Sequence, residues 1–369
     1  MPNKRKKILF TIPNFDTAGS GKAMLKIIQR LDKNLFEPHI ACNHDRGAFF
    51  KVVKDSGIPV HIMPTTTSMK NKLNGVKTCW KMRKFYREHH FDLVHSYHYS
   101  DDYSEALSVR MAGVKWVYHK KNMNWGGNGW KLRSLLANGI FAQNLNIYED
   151  FFNKASKVMY CSSGVDLNEF YPKPPSEDLM KEFNLTPETK VIVNVANLVP
   201  LKGIEVLFKA VETMTFPSGS DFRIFIVGDD TTEYGHELKS HAKRLPIPVV
   251  FTGKRMDVAA FLSLADFFVF PSFKEASPVS FLEAMASGTY SLGSNIPGLK
   301  DQLKELPQQL FQVGDHEELK HKLELAIQLT QDEMKQVIDQ QLKIIREQFS
   351  LAIEVEKHEI MYKKLLSIS

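Results

Sequence analysis

The stretch 266–288 runs Asp-Phe-Phe-Val-Phe-Pro-Ser-Phe-Lys-Glu-Ala-Ser-Pro-Val-Ser-Phe-Leu-Glu-Ala-Met-Ala-Ser-Gly and gathers groups suited to a charged, hydroxylated ligand. Glu275 stands just ahead of Ser277 and Pro278, a residue pair favoured as N-cap and first helical position. A helix begun there aims its unbonded N–H groups back at the preceding loop, where amides and macrodipole together favour a phosphate. Glu283 follows about one and a half turns in, so at ~1.5 Å rise per residue the two carboxylates lie within one ligand's length. One can hold a sugar, the other a ribose. A Ser-Pro start and two glutamates are also ordinary helix punctuation, so the meaning of the stretch rests on what surrounds it.

Other chemistry-bearing residues fall in the first half. Gly19-Ser20-Gly21-Lys22 suggests a phosphate loop, but Asp16 occupies the first glycine position and Ala23 follows the lysine. No hydroxyl is then placed for Mg²⁺, which argues against Walker-type hydrolysis and leaves the glycines as points of close backbone access to a ligand. His95 and His98 follow one apolar run, and His119, Lys120, Lys121 and Asn122 another; a single histidine is more often a structural hydrogen-bonding group than a catalyst. Asp101-Asp102 and Asp229-Asp230 suit loops and turns. Cys42, Cys79 and Cys161 are odd in number, far apart and without metal-type spacing, which suits buried thiols in a reducing, cytoplasmic compartment.

The elements that must position these groups alternate in type. Strands are expected over 7–12, 37–42, 59–63, 92–95 and 116–119, with a loop over 14–21 and helices over 49–56 and 76–90. Such βα units specify a mainly parallel sheet that binds ligands at the carboxyl ends of its strands. The proline-rich stretch 171–178 marks a boundary, giving domains 1–170 and 171–350, with 351–369 a terminal helix packing back on the first. Beyond it the rhythm restarts: strands at 191–195, 223–227, 249–251, 267–270 and 290–293, helices at 203–214, 237–244, 258–264 and 317–329, and helical periodicity from 331 to the end.

With 369 residues, 43% hydrophobic and 24% charged, the chain has material for two packed domains. The net +6 hides an asymmetry: residues 1–170 hold 26 Lys+Arg against 14 Asp+Glu, leaving 22 against 28 for the rest. A basic first half attracts anionic partners, and the absence of finger spacing or RNP-like aromatics disfavours nucleic acid. The helix carrying Lys77, Lys81, Arg83, Lys84 and Arg87 beside Trp80 is a solvated basic face or, on a sharper reading, a face for peripheral contact with anionic lipid at the cytoplasmic membrane. The basic start with its apolar run is cut short by Pro13, Asn14 and Asp16, which favours a first strand over a signal peptide.

Taken in order, these pieces resemble the glycosyltransferases of family 4. The matching residues are Gly164-Val-Asp-Leu-Asn-Glu-Phe-Tyr-Pro172, Asn197-Leu-Val-Pro-Leu-Lys202-Gly203, Ile226-Val-Gly228, Phe251-Thr-Gly253, Ala265-Asp266 through Pro271-Ser272, and Glu275 with Glu283. The likeness is dense in the second half and loose in the first. It implies an α/β, GT-B fold of two facing Rossmann-like domains with a cleft, and retaining transfer from a UDP- or GDP-type nucleotide sugar without a metal or other cofactor. It further implies that Lys202 meets the diphosphate, Glu275 orients the sugar, amides around Ser277, Pro278, Val279 and Ser280 cradle phosphate and sugar, and Glu283 takes the ribose. Gly19 is similar to a phosphate-covering glycine, Gly228 and Gly253 belong to the donor motifs, and Lys254 and Arg255 are placed to meet the base. Asn197 stands where an arginine is common, Asp301 where a glutamate is usual, and either His119 or Lys121 falls where a sugar-contacting histidine is frequent.

The expected protein is an enzyme that adds one sugar to a saccharide or lipid-linked acceptor in polysaccharide, lipopolysaccharide or glycolipid synthesis. The competing expectation is a GT-B protein that has lost catalysis and serves as a nucleotide-binding or scaffold subunit, with Asn197 its first sign.

Overall fold

The computed structural model describes residues 4–16, 18–47 and 49–368; the first three residues of the basic start and Thr17 of the first loop lie outside them. The chain divides into two compact units, residues 1–162 with 354–369, and residues 163–353. The boundary expected at 170/171 thus falls at 162/163. Val165 bridges to Ser350 and Phe170 is buried in the second unit's core, so the chain has changed units before its prolines.

In the first unit β1 (Lys6–Thr11), β2 (Phe36–Cys42), β3 (Val60–Ile62), β4 (Leu93–Ser96), β5 (Lys115–Lys120), β6 (Gly139–Ala142) and β7 (Val158–Tyr160) alternate with α1 (Ala18–Arg30), α2 (Phe50–Asp55), α3 (Lys72–Glu88), α4 (Ser104–Met111) and α5 (Asn128–Leu136). The described strands are parallel and ordered β3-β2-β1-β4-β5-β6-β7. The loop expected over 14–21 is shorter, because α1 already includes Gly19, Ser20 and Gly21. Its apolar stripe, Met24, Leu25, Ile27 and Ile28, is buried, as is Leu31 just past its end, and that packing outweighs the low helix propensity of two glycines.

The second unit holds α6 (Glu177–Glu182), β8 (Lys190–Val195), α7 (Ile204–Glu212), β9 (Phe222–Val227), α8 (Glu233–Ala242), β10 (Val249–Gly253), α9 (Val258–Leu264), β11 (Phe267–Phe270), α10 (Val279–Ala286), β12 (Tyr290–Ser294), α11 (Pro297–Gln302), β13 (Leu310–Phe311), α12 (His316–Gln328) and α13 (Gln331–Gln348). Its sheet is β10-β9-β8-β11-β12-β13, again parallel. β11 is buried throughout, as a strand covered on both faces must be; burying a side chain such as Phe268 contributes about 1.5–3 kcal/mol. The helical run expected from 331 onward breaks at Phe349 and Ser350, where the chain pairs with Val165, and resumes as α14 (Leu351–Leu366). Residues 354 onward belong to the first unit.

In both sheets the order in which strands are added reverses at the middle, between β1 and β4 and between β8 and β11. Ligands of doubly wound sheets bind beyond the strand ends at such a switch point.

Candidate active site

At the second unit's switch point, the loop after β8 carries Asn197 and a 3₁₀ turn, Pro200–Lys202, and the loop after β11 carries Glu275. The loops are tied together: Phe273 N–H donates to the Leu201 carbonyl at 2.9 Å and the Ser272 hydroxyl to the same oxygen at 3.1 Å. Gly203 has φ +61°, and a Cβ there would stand 2.3 Å from the Pro271 carbonyl oxygen. A side chain at Gly228 would likewise fall 1.9 Å from the Ala196 oxygen, so these motif glycines are already required by loop packing. Gly19 differs, since a Cβ there meets nothing within 4 Å.

This frame brings the Lys202 ammonium into an ion pair with the Glu275 carboxylate, both side chains about four-fifths covered (19% and 22% exposed). The ammonium also lies 5.6 Å from the Phe270 ring centre. Partial burial strengthens their attraction over its value in water while leaving a side open to a ligand.

Helix α10 opens one residue later than its Ser-Pro punctuation suggests. Pro278, at φ −71° and ψ 117°, is itself the N-cap and offers no side-chain hydrogen bond. The Ser277 hydroxyl instead accepts from Ser163 N–H at 3.1 Å and from the Gln302 amide at 3.4 Å. The first-turn N–H groups of Val279 and Ser280 are therefore left by the helix itself. Glu283 sits half-buried on α10.

Beyond β10, Lys254 is exposed, but Arg255 is committed to Glu182 at 3.0 and 3.3 Å and to Asp257 at 2.9 and 2.7 Å. Asn197 is exposed and Gly253 closes β10 with φ +67°. Asp229 caps a turn by accepting from Thr231, and Asp230 pairs with Lys239 at 2.8 Å.

The first unit treats its polar residues differently. His119 is buried: its Nε2 faces Nε2 of His358 at 3.0 Å and its Nδ1 faces the Gln143 amide at 3.3 Å. Burial, then the neighbouring His95, His358 and Lys121, hold its pKa well below the ordinary imidazole value. Lys121 is half-buried, its pKa lowered by burial and partly restored by Glu354. Nearby, Glu105 is fully buried and accepts from Thr11 and, at 2.5 Å, from Ser96. Arg133, also fully buried, donates to the Ser96 hydroxyl at 3.0 Å and to the His98 and Asp102 carbonyls at 3.1 and 2.9 Å. Lys120 lies 4.3 Å from the Trp130 ring centre and donates to the Asn124 carbonyl at 2.8 Å, and burial lowers its pKa to about 8. Sequence reasoning missed this network. Helix α4, which carries Glu105, has no clear apolar stripe, and His358 lies 239 residues from the histidine it meets.

Family models match both units: Glycosyltransferase Family 4 over residues 17–165 and Glycosyl transferases group 1 over residues 175–343. Among curated relatives, the chain is 23% identical over 307 residues to the UDP-Gal:alpha-D-GlcNAc-diphosphoundecaprenol alpha-1,3-galactosyltransferase of Escherichia coli, covering 76% of this chain and 77% of that one. It is 27% identical over 201 residues to the N-acetyl-alpha-D-glucosaminyl L-malate synthase of Bacillus anthracis, covering 53% and 51%. Among solved structures, a glycosyltransferase from Rickettsia africae superposes with a TM-score of 0.86 at 18% identity over 99% of this chain and all of that one. Anabaena HepE in complex with UDP and glucose does so with 0.80 at 19% identity, over 97% and 100%. The parallel sheets, the paired lysine and glutamate at a switch point and the two family matches together make this chain a GT-B enzyme belonging to glycosyltransferase family 4.

Proposed function

We propose that the protein transfers a sugar, with retention at the anomeric carbon, from a UDP-sugar to a lipid-linked saccharide. The observation that carries this reading is the Lys202–Glu275 pair ahead of the α10 N-terminus. In the pair each group offsets the other's charge. When the donor enters, the ammonium turns to the diphosphate, whose remaining charge meets the Val279 and Ser280 N–H groups, and the carboxylate turns to sugar hydroxyls. The anomeric C–O bond breaks with its electron pair leaving on the diphosphate, the acceptor oxygen bonds to the same carbon, and the acceptor's proton passes to the departing phosphate. Glu283 takes the ribose and Lys254 is the cation free to approach the base. In the first unit Lys121, rather than His119, remains to meet a ligand. Lys202 and the helix supply the positive charge, so transfer needs no metal and persists in chelator. The UDP donor is favoured by the names of the relatives, UDP-Gal for the Escherichia coli enzyme and UDP for HepE.

Release of UDP from UDP-sugars, with and without an undecaprenol-linked acceptor, tests this. Acceptor-dependent release that collapses in Lys202→Ala and Glu275→Ala supports it; UDP binding without any release would favour the catalytically inactive subunit.

We also infer that the enzyme rests on anionic lipid through α3. Leu73, Val76 and Trp80 share one helix face and are 78%, 40% and 56% exposed, among Lys72, Lys77, Lys81 and Lys84. No helix among the described residues is long and apolar enough to cross a membrane, whereas an amphipathic basic helix with an aromatic anchor suits the interface. Co-sedimentation with anionic but not neutral vesicles, weakened in Trp80→Ser, is expected; equal partitioning to both would remove the idea.

A further inference from the structure

Three histidines far apart in sequence meet inside the first unit: His95 of β4, His119 of β5 and His358 of α14. All are buried, at 0%, 5% and 0% exposure. Their ring centres stand 4.9 Å (His95–His119), 5.1 Å (His119–His358) and 5.3 Å (His95–His358) apart, and one ligating nitrogen from each lies within 4.8 Å of the other two. We propose that these three imidazoles form a binding site for a divalent transition-metal ion, zinc by first preference, which fastens α14 to β4 and β5.

The arrangement around the rings points the same way. A metal-bound histidine ordinarily has its other nitrogen fixed by a protein group. Nδ1 of His358 donates to the Glu354 carbonyl at 2.6 Å, Nδ1 of His95 lies 2.5 Å from the Tyr362 hydroxyl, and Nδ1 of His119 faces the Gln143 amide. The inner nitrogens are the ones less well provided for. Nε2 of His95 is buried without a hydrogen-bond partner, as is the hydroxyl of Tyr97, whose ring stands 4.8 Å from His95 and 5.2 Å from His119. Buried polar atoms without partners are uncommon in native proteins, and an ion is one of the few things that accounts for them.

The adjustment needed is small. With Zn–N bonds of 2.0–2.1 Å in a tetrahedral site, neighbouring nitrogens lie about 3.4 Å apart. The His119–His358 contact at 3.0 Å need only open slightly, and His95 must swing inward. The proton now shared between those Nε2 atoms moves to Nδ1 of His119, with no net loss. Gln143 then turns its amide oxygen to accept it, giving up its 3.2 Å bond to the Cys161 carbonyl. Three neutral imidazoles suit zinc better than calcium or magnesium, which take oxygen ligands. Cys161, Glu354 and His358 form a second possible group, but it would use Nδ1 of His358, already committed to a carbonyl.

The test uses the full chain refolded with a slight excess of Zn²⁺, then desalted and its metal measured. About one zinc per chain is expected, together with visible d–d absorption when Co²⁺ replaces it and a melting temperature lowered by refolding in chelator. His95→Phe and His358→Phe, packed among existing aromatic rings, should bind about 10–100-fold more weakly or worse, while Cys161→Ser should keep its metal. Wild-type protein that retains no zinc and gives no cobalt spectrum overturns the proposal, as does a His95→Phe variant with unchanged stoichiometry; a buried water at His95 and Tyr97 predicts the first result. Should the variants fail to fold, the wild-type metal content, cobalt spectrum and chelator effect still decide.

Discussion

The two units share a strand order and use it in opposite ways. Relabelled from its own first strand, the second sheet has the order 3-2-1-4-5-6, and the first is the same with one strand added at its far edge. In the second unit the switch-point charges, Lys202 and Glu275, are paired but partly open. In the first, the charges near the strand ends are sealed in: Glu105 and Arg133 are fully buried and joined through Ser96, and the histidines face α14. One topology therefore holds a partly open charge pair in one case and a sealed polar network in the other. What separates them is whether the polar groups keep a side free for a ligand or satisfy one another.

The largest effect expected from breaking this contrast lies in the second unit. Lys202→Ala should lower turnover by about 10²–10³-fold, the scale of losing one preorganised charge-stabilising group, while leaving the melting temperature nearly unchanged. Nucleotide release and calorimetry on the same preparation check both halves. If the rate survives, the site assignment is wrong.

In the first unit the balance should reverse. Glu105→Ala removes the strongest of the carboxylate charges acting on buried Arg133, with Asp102 and Asp101 remaining, a change that costs up to about 3–5 kcal/mol, read as a fall in the denaturant midpoint. A variant as stable as the wild type would mean that the network is not holding the sheet together.

Acid separates the units next. His61 stacks on His39 with ring centres 5.3 Å apart, and burial, then the charges of His39, His89 and Lys7, lowers its pKa from 6.5 to about 4. The folded pKa lies below the unfolded one, so the unfolded chain takes up the proton first. The contribution of His61 is complete above about pH 6.5 and is lost as pH falls toward 4, on the order of 3 kcal/mol. Denaturant melts at neutral and acid pH should show His61→Phe losing less stability than wild type over that window; parallel curves would refute the link.

The smallest effect concerns the tie on Arg255. Glu182→Ala removes one of its two carboxylates at a partly exposed position, and the loss should stay under about 1 kcal/mol. A larger loss by thermal melting would make Arg255 a structural residue of the second unit rather than one available to a nucleotide base.

The second unit's strands and helices were legible because each announces itself locally. Phe267–Phe270 is a short apolar run before a proline, Val258–Leu264 carries helical periodicity, and both elements appear at those bounds. Errors came where packing overrules local preference: two glycines inside α1, an N-cap proline in place of Ser277, and α4 and α5 without a clear stripe. Glu275 and Glu283 could be picked out because helix punctuation and carboxylates lie within one stretch of chain. The pairing of Lys202 with Glu275 joins loops 73 residues apart and could not be read from either loop alone; the family likeness gave each residue a separate role.

The amino-acid sequence by itself determined the two parallel α/β units, the chemistry available after β11 and the family to which the chain belongs, because apolar periodicity, turn residues and motif spacing are all short-range. Only the tertiary structure decided which polar residues keep an exposed side and which face each other. Whether His119 meets a sugar or a second histidine depends on where α14 returns to the sheet, a contact across 239 residues whose energy lies in burial and mutual hydrogen bonding and leaves no mark at either end of the chain alone.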